Sequence, residues 1–105
     1  MTAVTSIAPD DCVDMKQIRA QVNQLDAQII ALLGERLKYV HAAVRFKPDE
    51  ESIRRPDHWN HFFAARKTWA QAAGYPTEVI EDMYRRLYDY TIVTQLDLHA
   101  KKSKG

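Results

Sequence analysis

The chain has 105 residues, a formal net charge of +1 and a single cysteine. This length predicts one domain with a small hydrophobic core, which favours a dimer. The near-zero charge gives no electrostatic argument for a nucleic-acid or membrane partner, and one cysteine excludes an internal disulfide and a cysteine metal cluster.

The first 13 residues are polar, contain Pro9 and are predicted to form a loose N-terminal arm. They lack the basic start and long apolar run of a signal peptide. No stretch of the chain approaches the roughly 20 apolar residues of a membrane span. We therefore expect a cytoplasmic protein that binds neither nucleic acid nor a membrane.

A long amphipathic helix is predicted from Met15 to about Phe46. Asp14 is a suitable N-cap, and Pro48 disfavours helical geometry at Lys47. At about 1.5 Å per residue the helix would be roughly 45–50 Å long, whereas a compact domain of this size has a radius of gyration of about 13 Å. We therefore expect a partner helix to bury part of its apolar face. The residues of that face recur at intervals of three and four: Met15, Ile18, Val22, Leu25, Ile29, Leu32, Leu33, Val40 and Val44.

A cation interrupts this apolar face. Arg36 occupies a position where the pattern asks for an apolar residue, and a buried cation is unfavourable unless an anion meets it. Arg36 therefore either pairs with a carboxylate, such as Asp26 of a neighbouring helix, or faces a ligand. Lys47 lies within about 20° of Arg36 around the helix, whereas Arg19 lies about 100° away on the flank.

Two further helices are predicted after a loop with the sequence PDEESIRRP. The second begins at Pro56 or Asp57 and ends at Gly74. Thr77 is the predicted N-cap of the third, and residues 100–105 are expected to fray. No run alternates at period two, so the sequence predicts an all-α fold of three helices: one long, one short and one medium.

Few side chains form a pattern typical of catalysis. The chain has no glycine-rich phosphate loop and no recognisable nucleophile motif. His58 and His61 are three residues apart, a spacing that can bind a metal ion, although such a pair without a third ligand is usually a surface feature. The remaining candidates are cations and an amide on otherwise apolar faces: Arg19, Arg36, Lys47 and Gln95.

These four residues have two interpretations. Cations without an accompanying base suit the binding of a small dianion in a site that acts by positioning its substrate. Alternatively, Gln95 is a buried amide satisfied by backbone groups, and Lys47 is a solvated lysine near a helix C-terminus.

In sequence, the chain resembles the all-helical chorismate mutase family from about Asp10 to Leu98. Within that family it is similar to the branch of bacterial isochorismate pyruvate lyases of salicylate biosynthesis. The residues that carry the resemblance are Arg19 near the start of the long helix, Arg36 in LLGER, Lys47 at the end of AAVRFK, Thr94–Gln95, the PDDC of Pro9–Cys12, and Ile18.

The resemblance implies an intertwined homodimer with two equivalent active sites and no cofactor or metal. Arg19 would come from the partner subunit and, with Arg36, would bind the two carboxylates of the substrate. Lys47 and Gln95 would hydrogen-bond the ether oxygen of its enolpyruvyl group. The reaction would be pericyclic, so the protein would supply positioning and charge stabilisation rather than a nucleophile.

The chain also departs from the family pattern. Typical mutases place an arginine and often a glutamate at the start of the second helix, where this chain has His58 and Trp59; Arg54 or Arg55 could substitute. Pro48 stiffens a loop that the family uses as a lid. The resemblance therefore favours isochorismate pyruvate lyase with weak chorismate mutase activity. The alternatives are a chorismate mutase, a mutase acting on an amino analogue, and a non-enzymatic helical dimerisation module.

Overall fold

A computed structural model of the protein describes residues 6–104. This part of the chain is helical and contains no strand, which confirms the all-α prediction. It has three main helices joined by shorter segments. The last of these three helices is as long as the first, at 28 residues. The helices are α1 Met15–Ala42, α2 Glu50–Arg54, α3 Trp59–Ala73 and α4 Thr77–Lys104, with 3-10 turns at Pro9–Asp11 and Ala43–Phe46.

Capping by side chains explains where α1 begins. Asp14 Oδ1 accepts a hydrogen bond from the Gln17 backbone N–H at 2.9 Å, and Gln17 Oε1 accepts one from the Val13 N–H, also at 2.9 Å. The first of these bonds satisfies a donor that a helix N-terminus leaves unpaired, and the second ties the residue before the N-cap to the first turn. The helical path ends at Phe46, as predicted, although its last four residues form a tighter 3-10 turn.

The segment predicted as a loop contains the short helix α2. Asp49 Oδ1 caps it by accepting from the Ser52 N–H at 2.9 Å, and Ile53 is buried. The helix ends at Arg54, and its C-cap residue Arg55 has a φ of 38°, in the left-handed region. The loop prediction was therefore wrong for Glu50–Arg54, because a good N-cap and one buried side chain stabilise a turn between the two prolines.

The ends of α3 and α4 follow the turn chemistry of the sequence. Gly74 adopts a φ of 72° at the C-cap of α3, and the Tyr75 N–H donates to Ala70 O at 2.9 Å, as in a Schellman motif. The start of α3 lies at Trp59 rather than at Pro56 or Asp57. Helix α4 begins at Thr77 and continues to Lys104, through most of the tail that was expected to fray.

The chain divides into two compact units, residues 1–38 and 39–105. In the described part of the first unit, apolar side chains of α1 are largely exposed; for example, Leu25 is 58% and Leu32 is 65% exposed. Among residues 6–104, no helix is long and apolar enough to cross a membrane. The second unit contains the buried side chains of Val44, Ile53, Phe62, Ala70, Thr91 and Gln95.

Candidate functional site

The second unit brings together two of the predicted site residues, Lys47 and Gln95. The Lys47 ammonium donates a hydrogen bond to Gln95 Oε1 at 2.9 Å. Gln95 is only 5% exposed, and Lys47 is half-buried. A charged donor and an amide therefore lie side by side at a partly enclosed position, where electrostatic interactions are stronger than in bulk water.

Local backbone geometry places Lys47 at this position. The 3-10 turn ends at Phe46, and the Lys47 N–H closes it by donating to Val44 O at 3.0 Å. Lys47 itself is extended, with φ −107° and ψ 115°, as expected for a residue that precedes proline. Burial of Val44 fixes the turn, so the chain leaves the helical path at Lys47.

The amide of Gln95 is oriented by two hydrogen bonds. Its Nε2 donates to the Thr91 carbonyl at 3.2 Å, while its Oε1 accepts from Lys47. A carbonyl can only accept and an ammonium can only donate, so these partners assign the amide orientation. The NH₂ group has a second N–H, which can donate to a ligand beside Lys47.

The Thr91 carbonyl that accepts from Gln95 also belongs to a hydrogen-bond network with Thr94 and His41. The Thr94 hydroxyl donates to Thr91 O at 3.1 Å, and His41 Nε2 lies 3.1 Å from Thr94 Oγ1. Because the Thr94 hydroxyl already donates to a carbonyl, it accepts from His41, which places the proton on Nε2. These contacts tie the end of α1 to the part of α4 that carries Gln95.

Positive charge accumulates around Lys47. Burial lowers the pKa of the Lys47 ammonium below its ordinary 10.5, and the guanidinium of Arg55 lowers it further. Burial also lowers the pKa of His58, and the charges of nearby residues, first Arg55 and then His61 and Lys47, lower it further. Neighbouring cations lower one another's pKa because their charges repel. Together they create a positive potential, which suits the binding of an anion.

Aromatic side chains of α3 and α4 pack beside these cations. The Tyr88 ring lies 5.3 Å from that of Trp59, 5.1 Å from that of Phe62 and 6.4 Å from that of His58, measured between centroids. Burial raises the pKa of the Tyr88 hydroxyl, an effect that the nearby Arg55 and Arg85 oppose. Trp59 is thus engaged in aromatic packing.

The other two predicted site residues, Arg19 and Arg36, belong to the first unit. Arg19 is exposed and Arg36 is half-buried. They are 17 positions apart on the continuous helix α1, which corresponds to about 25 Å along its axis. They also lie about 100° apart around the helix, so the two guanidinium groups of one α1 do not converge on one small ligand.

The predicted histidine pair lies at the start of α3. The rings of His58 and His61 are 5.9 Å apart between centroids and tilted by 42°. Within the described chain, no group of three or more His, Cys, Asp or Glu side chains is placed to hold a metal ion. His58 instead stacks on Tyr88, so its immediate surroundings are aromatic and cationic.

Sequence analysis did not identify several residues of this region as site residues: His41, Tyr88 and Thr91. Arg55 was considered only as a substitute for a missing arginine. One signal was available, since Tyr88, Thr91 and Gln95 follow one another at spacings of three and four and therefore share a face of α4. No comparable signal connects His41 or Arg55 to that face, because these contacts depend on tertiary structure.

Comparisons with known proteins show the family of this chain. Residues 18–96 match the family described as chorismate mutase type II. The chain is 31% identical over 88 residues to the isochorismate pyruvate lyase of Pseudomonas aeruginosa, a match that spans 84% of this chain and 87% of that protein. The range 18–96 includes all four predicted site residues. The two matches confirm the family resemblance found in the sequence. The chain is therefore a member of the chorismate mutase type II family.

Proposed function

We propose that this protein is an isochorismate pyruvate lyase, which converts isochorismate to salicylate and pyruvate, with chorismate mutase activity as a weaker side reaction. The observation that carries the proposal is the Lys47–Gln95 pair: the Lys47 ammonium donates to Gln95 Oε1 at 2.9 Å, in a partly buried region with several cations. The named activity of the Pseudomonas relative supports the choice of lyase over other reactions.

In the proposed reaction, a hydrogen moves from the ring to the enolpyruvyl methylene as the C–O bond breaks. The electron pair of the C–O bond becomes part of the pyruvate carbonyl, the enol C=C pair forms the new methyl C–H bond, and the ring C–H pair becomes a double bond of the aromatic ring. No covalent enzyme intermediate forms. Negative charge develops on the departing ether oxygen, and the Lys47 ammonium and the second Gln95 N–H would stabilise it there. Both donors are held before substrate binds, so little reorganisation accompanies the reaction.

The two arginines of α1 are proposed to bind the substrate carboxylates from different subunits. Since Arg19 and Arg36 of one helix lie about 25 Å apart along its axis, one subunit alone cannot bring both to a single small dicarboxylate. In a homodimer, Arg19 of the partner would complete the site that contains Arg36, Lys47 and Gln95. The exposed apolar side chains of α1, including Leu25 and Leu32, support a second copy as the partner.

The start of α3 favours lyase over mutase activity. Typical mutases use an arginine and often a glutamate there, whereas this chain has His58 and Trp59. Burial and the neighbouring cations lower the pKa of His58, so it is a poor replacement for a permanently charged arginine at neutral pH. Trp59 has no carboxylate and packs against Tyr88.

A single comparison tests the proposal. Purified protein is offered isochorismate and chorismate separately, with salicylate fluorescence and loss of chorismate absorbance as readouts. Rapid salicylate formation from isochorismate is expected. Prephenate formation from chorismate alone would instead support a chorismate mutase, which the family match favours as the second candidate. Absence of both products would contradict an enzymatic role and favour a helical dimerisation module.

A further inference from the structure

Three residues on one face of α4 contact the short segment that carries Lys47. Gln95, His99 and Lys102 follow one another at spacings of four and three, so their side chains project from the same side of the helix. The segment they meet is residues 44–48, the end of the 3-10 turn together with Lys47 and Pro48. Only the first of the three contacts, Lys47 with Gln95, belongs to the site described above.

The two additional contacts are made to backbone carbonyls. Lys102 Nζ lies 3.4 Å from both Val44 O and Arg45 O. His99 Nε2 lies 3.3 Å from Pro48 O. A carbonyl oxygen only accepts, so His99 carries a proton on Nε2 and donates it.

These contacts lie on both sides of Lys47. Lys102 binds carbonyls that precede it, and His99 binds the carbonyl that follows it. The Lys47 side chain is long and flexible, so the position of its ammonium depends on where its backbone is held. Pro48 restricts the backbone of Lys47 as well, which leaves few orientations once both neighbours are anchored.

We propose that His99 and Lys102 are positioning residues, which hold residues 44–48 so that the Lys47 ammonium stays beside Gln95. The C-terminal turns of α4 then act on catalysis through Lys47 without touching the substrate. The kinetic part of this inference rests on the proposed function, whereas its structural part does not. The competing explanation is that Lys102 only complements the negative end of the 3-10 turn and that burial of Val44 suffices to hold the segment.

Amide hydrogen exchange tests the structural part without any substrate. The reporter is the Lys47 N–H, which donates to Val44 O at 3.0 Å. In Lys102→Met and in His99→Ala, exchange of this amide should accelerate by about 3- to 10-fold, the loss expected for one ordinary hydrogen bond. The matched control is Lys101→Ala, which removes a neighbouring lysine whose ion pair with Asp97 is exposed. Equal exchange rates of the Lys47 amide in the wild type and all three variants would overturn the proposal.

A double-mutant cycle with Lys47 tests the kinetic part. Each of Lys102→Met and His99→Ala should lower turnover of isochorismate by about 3- to 10-fold with little change in KM, and Lys101→Ala should leave it unchanged. In a Lys47→Ala background the same changes should have no further effect, because the residue they position is gone. Equal losses in both backgrounds would show that His99 and Lys102 do not act through Lys47.

Conservative variants separate positioning from a general loss of structure. Lys102→Arg and His99→Gln keep a donor at each place and should restore most of the turnover and amide protection. If the protein turns over neither isochorismate nor chorismate, the proposed function fails, and hydrogen exchange still decides whether the segment is held by α4. If the conservative variants behave like Lys102→Met and His99→Ala, hydrogen bonding to the carbonyls is not the cause.

Discussion

The ammonium of Lys47 and the amide oxygen of Gln95 form a 2.9 Å hydrogen bond across 48 positions of the chain. The amide is held from the other side by the Thr91 carbonyl, so both members of the pair have defined orientations. A ligand oxygen placed beside them would meet a cation and a neutral N–H together. The chemistry that benefits most is a reaction in which negative charge appears on an oxygen.

Lys47→Ala should reduce turnover of isochorismate by about two to three decades. The ammonium interacts most strongly when charge develops on the ether oxygen, and losing such a donor raises the barrier by roughly 3–4 kcal/mol. The thermal midpoint should change little, since removing a partly buried charge offsets the loss of a donor to Gln95.

The matched control for Lys47 is Arg45→Ala, which removes an exposed cation from the same 3-10 turn. Steady-state kinetics and a thermal scan on both variants separate a catalytic lysine from a solvated one. Near-normal turnover of Lys47→Ala would remove this residue from the mechanism.

Arg55→Gln should shift the alkaline limit of activity to higher pH. Burial and the Arg55 charge lower the pKa of Lys47, so as the pH rises the wild-type enzyme should lose this charged donor before pH 10.5 is reached. Removing the Arg55 charge makes protonation of Lys47 easier and therefore raises that pKa. The measurement is the pH dependence of kcat/KM, which reports ionisations of the free enzyme.

Arg54→Gln is the control for this shift, because it removes an exposed positive charge from the adjacent position. Its alkaline limit should stay close to that of the wild type. An unchanged or lowered limit in Arg55→Gln would mean that Arg55 does not govern the proton affinity of Lys47.

The parts of the fold that were predictable are those determined by local chemistry. Asp14 marks the start of α1, Pro48 follows its end, and Gly74 ends α3. The five-residue helix α2 was missed because it is too short to display a helical period. The extension of α4 to Lys104 was missed for a different reason: its last turns contact the distant carbonyls of Val44 and Arg45.

For the site, sequence could supply the residue types but not their partners. The four predicted residues were identified by their unusual polarity and by family resemblance. The partners of Lys47 depend on how α4 packs against the 3-10 turn, which no local pattern encodes. Thus the hydrogen bond between Lys47 and Gln95, like the electrostatic effect of Arg55 on Lys47, becomes visible only in the folded chain.

Gln95→Glu should be a poor enzyme at neutral pH and should recover as the pH falls. The introduced carboxylate would accept from the Lys47 ammonium but could donate to a substrate oxygen only when protonated. An unperturbed glutamate has a pKa of about 4.3; burial would raise this value, and the charge of Lys47 would lower it. The informative quantity is the ratio of kcat/KM between variant and wild type at each pH.

The wild type must be measured at every pH because His58 also gains a proton on acidification, and its pKa lies below the ordinary 6.5. Gln95→Met provides the second control, since it removes the amide without adding a titratable group. It should be impaired at every pH. A ratio for Gln95→Glu that does not change with pH would argue against donation by Gln95.

The dimer makes the most demanding prediction, because it assigns the residues of one site to two chains. Sedimentation at micromolar concentration should give a dimer. Arg19→Ala and Arg36→Ala should each be nearly inactive, yet mixing them with subunit exchange should restore about one quarter of wild-type activity. Half of the dimers would then be mixed, and each would contain one complete site.

Two further mixtures check which residues share a subunit. Arg19→Ala with Lys47→Ala should also regain activity, because one site of the mixed dimer would keep Lys47 and Arg36 from one chain and Arg19 from the other. Arg36→Ala with Lys47→Ala should regain none, because both sites of that mixed dimer lack an essential residue. Recovery in this last mixture, or a folded and active monomer in sedimentation, would contradict the shared site.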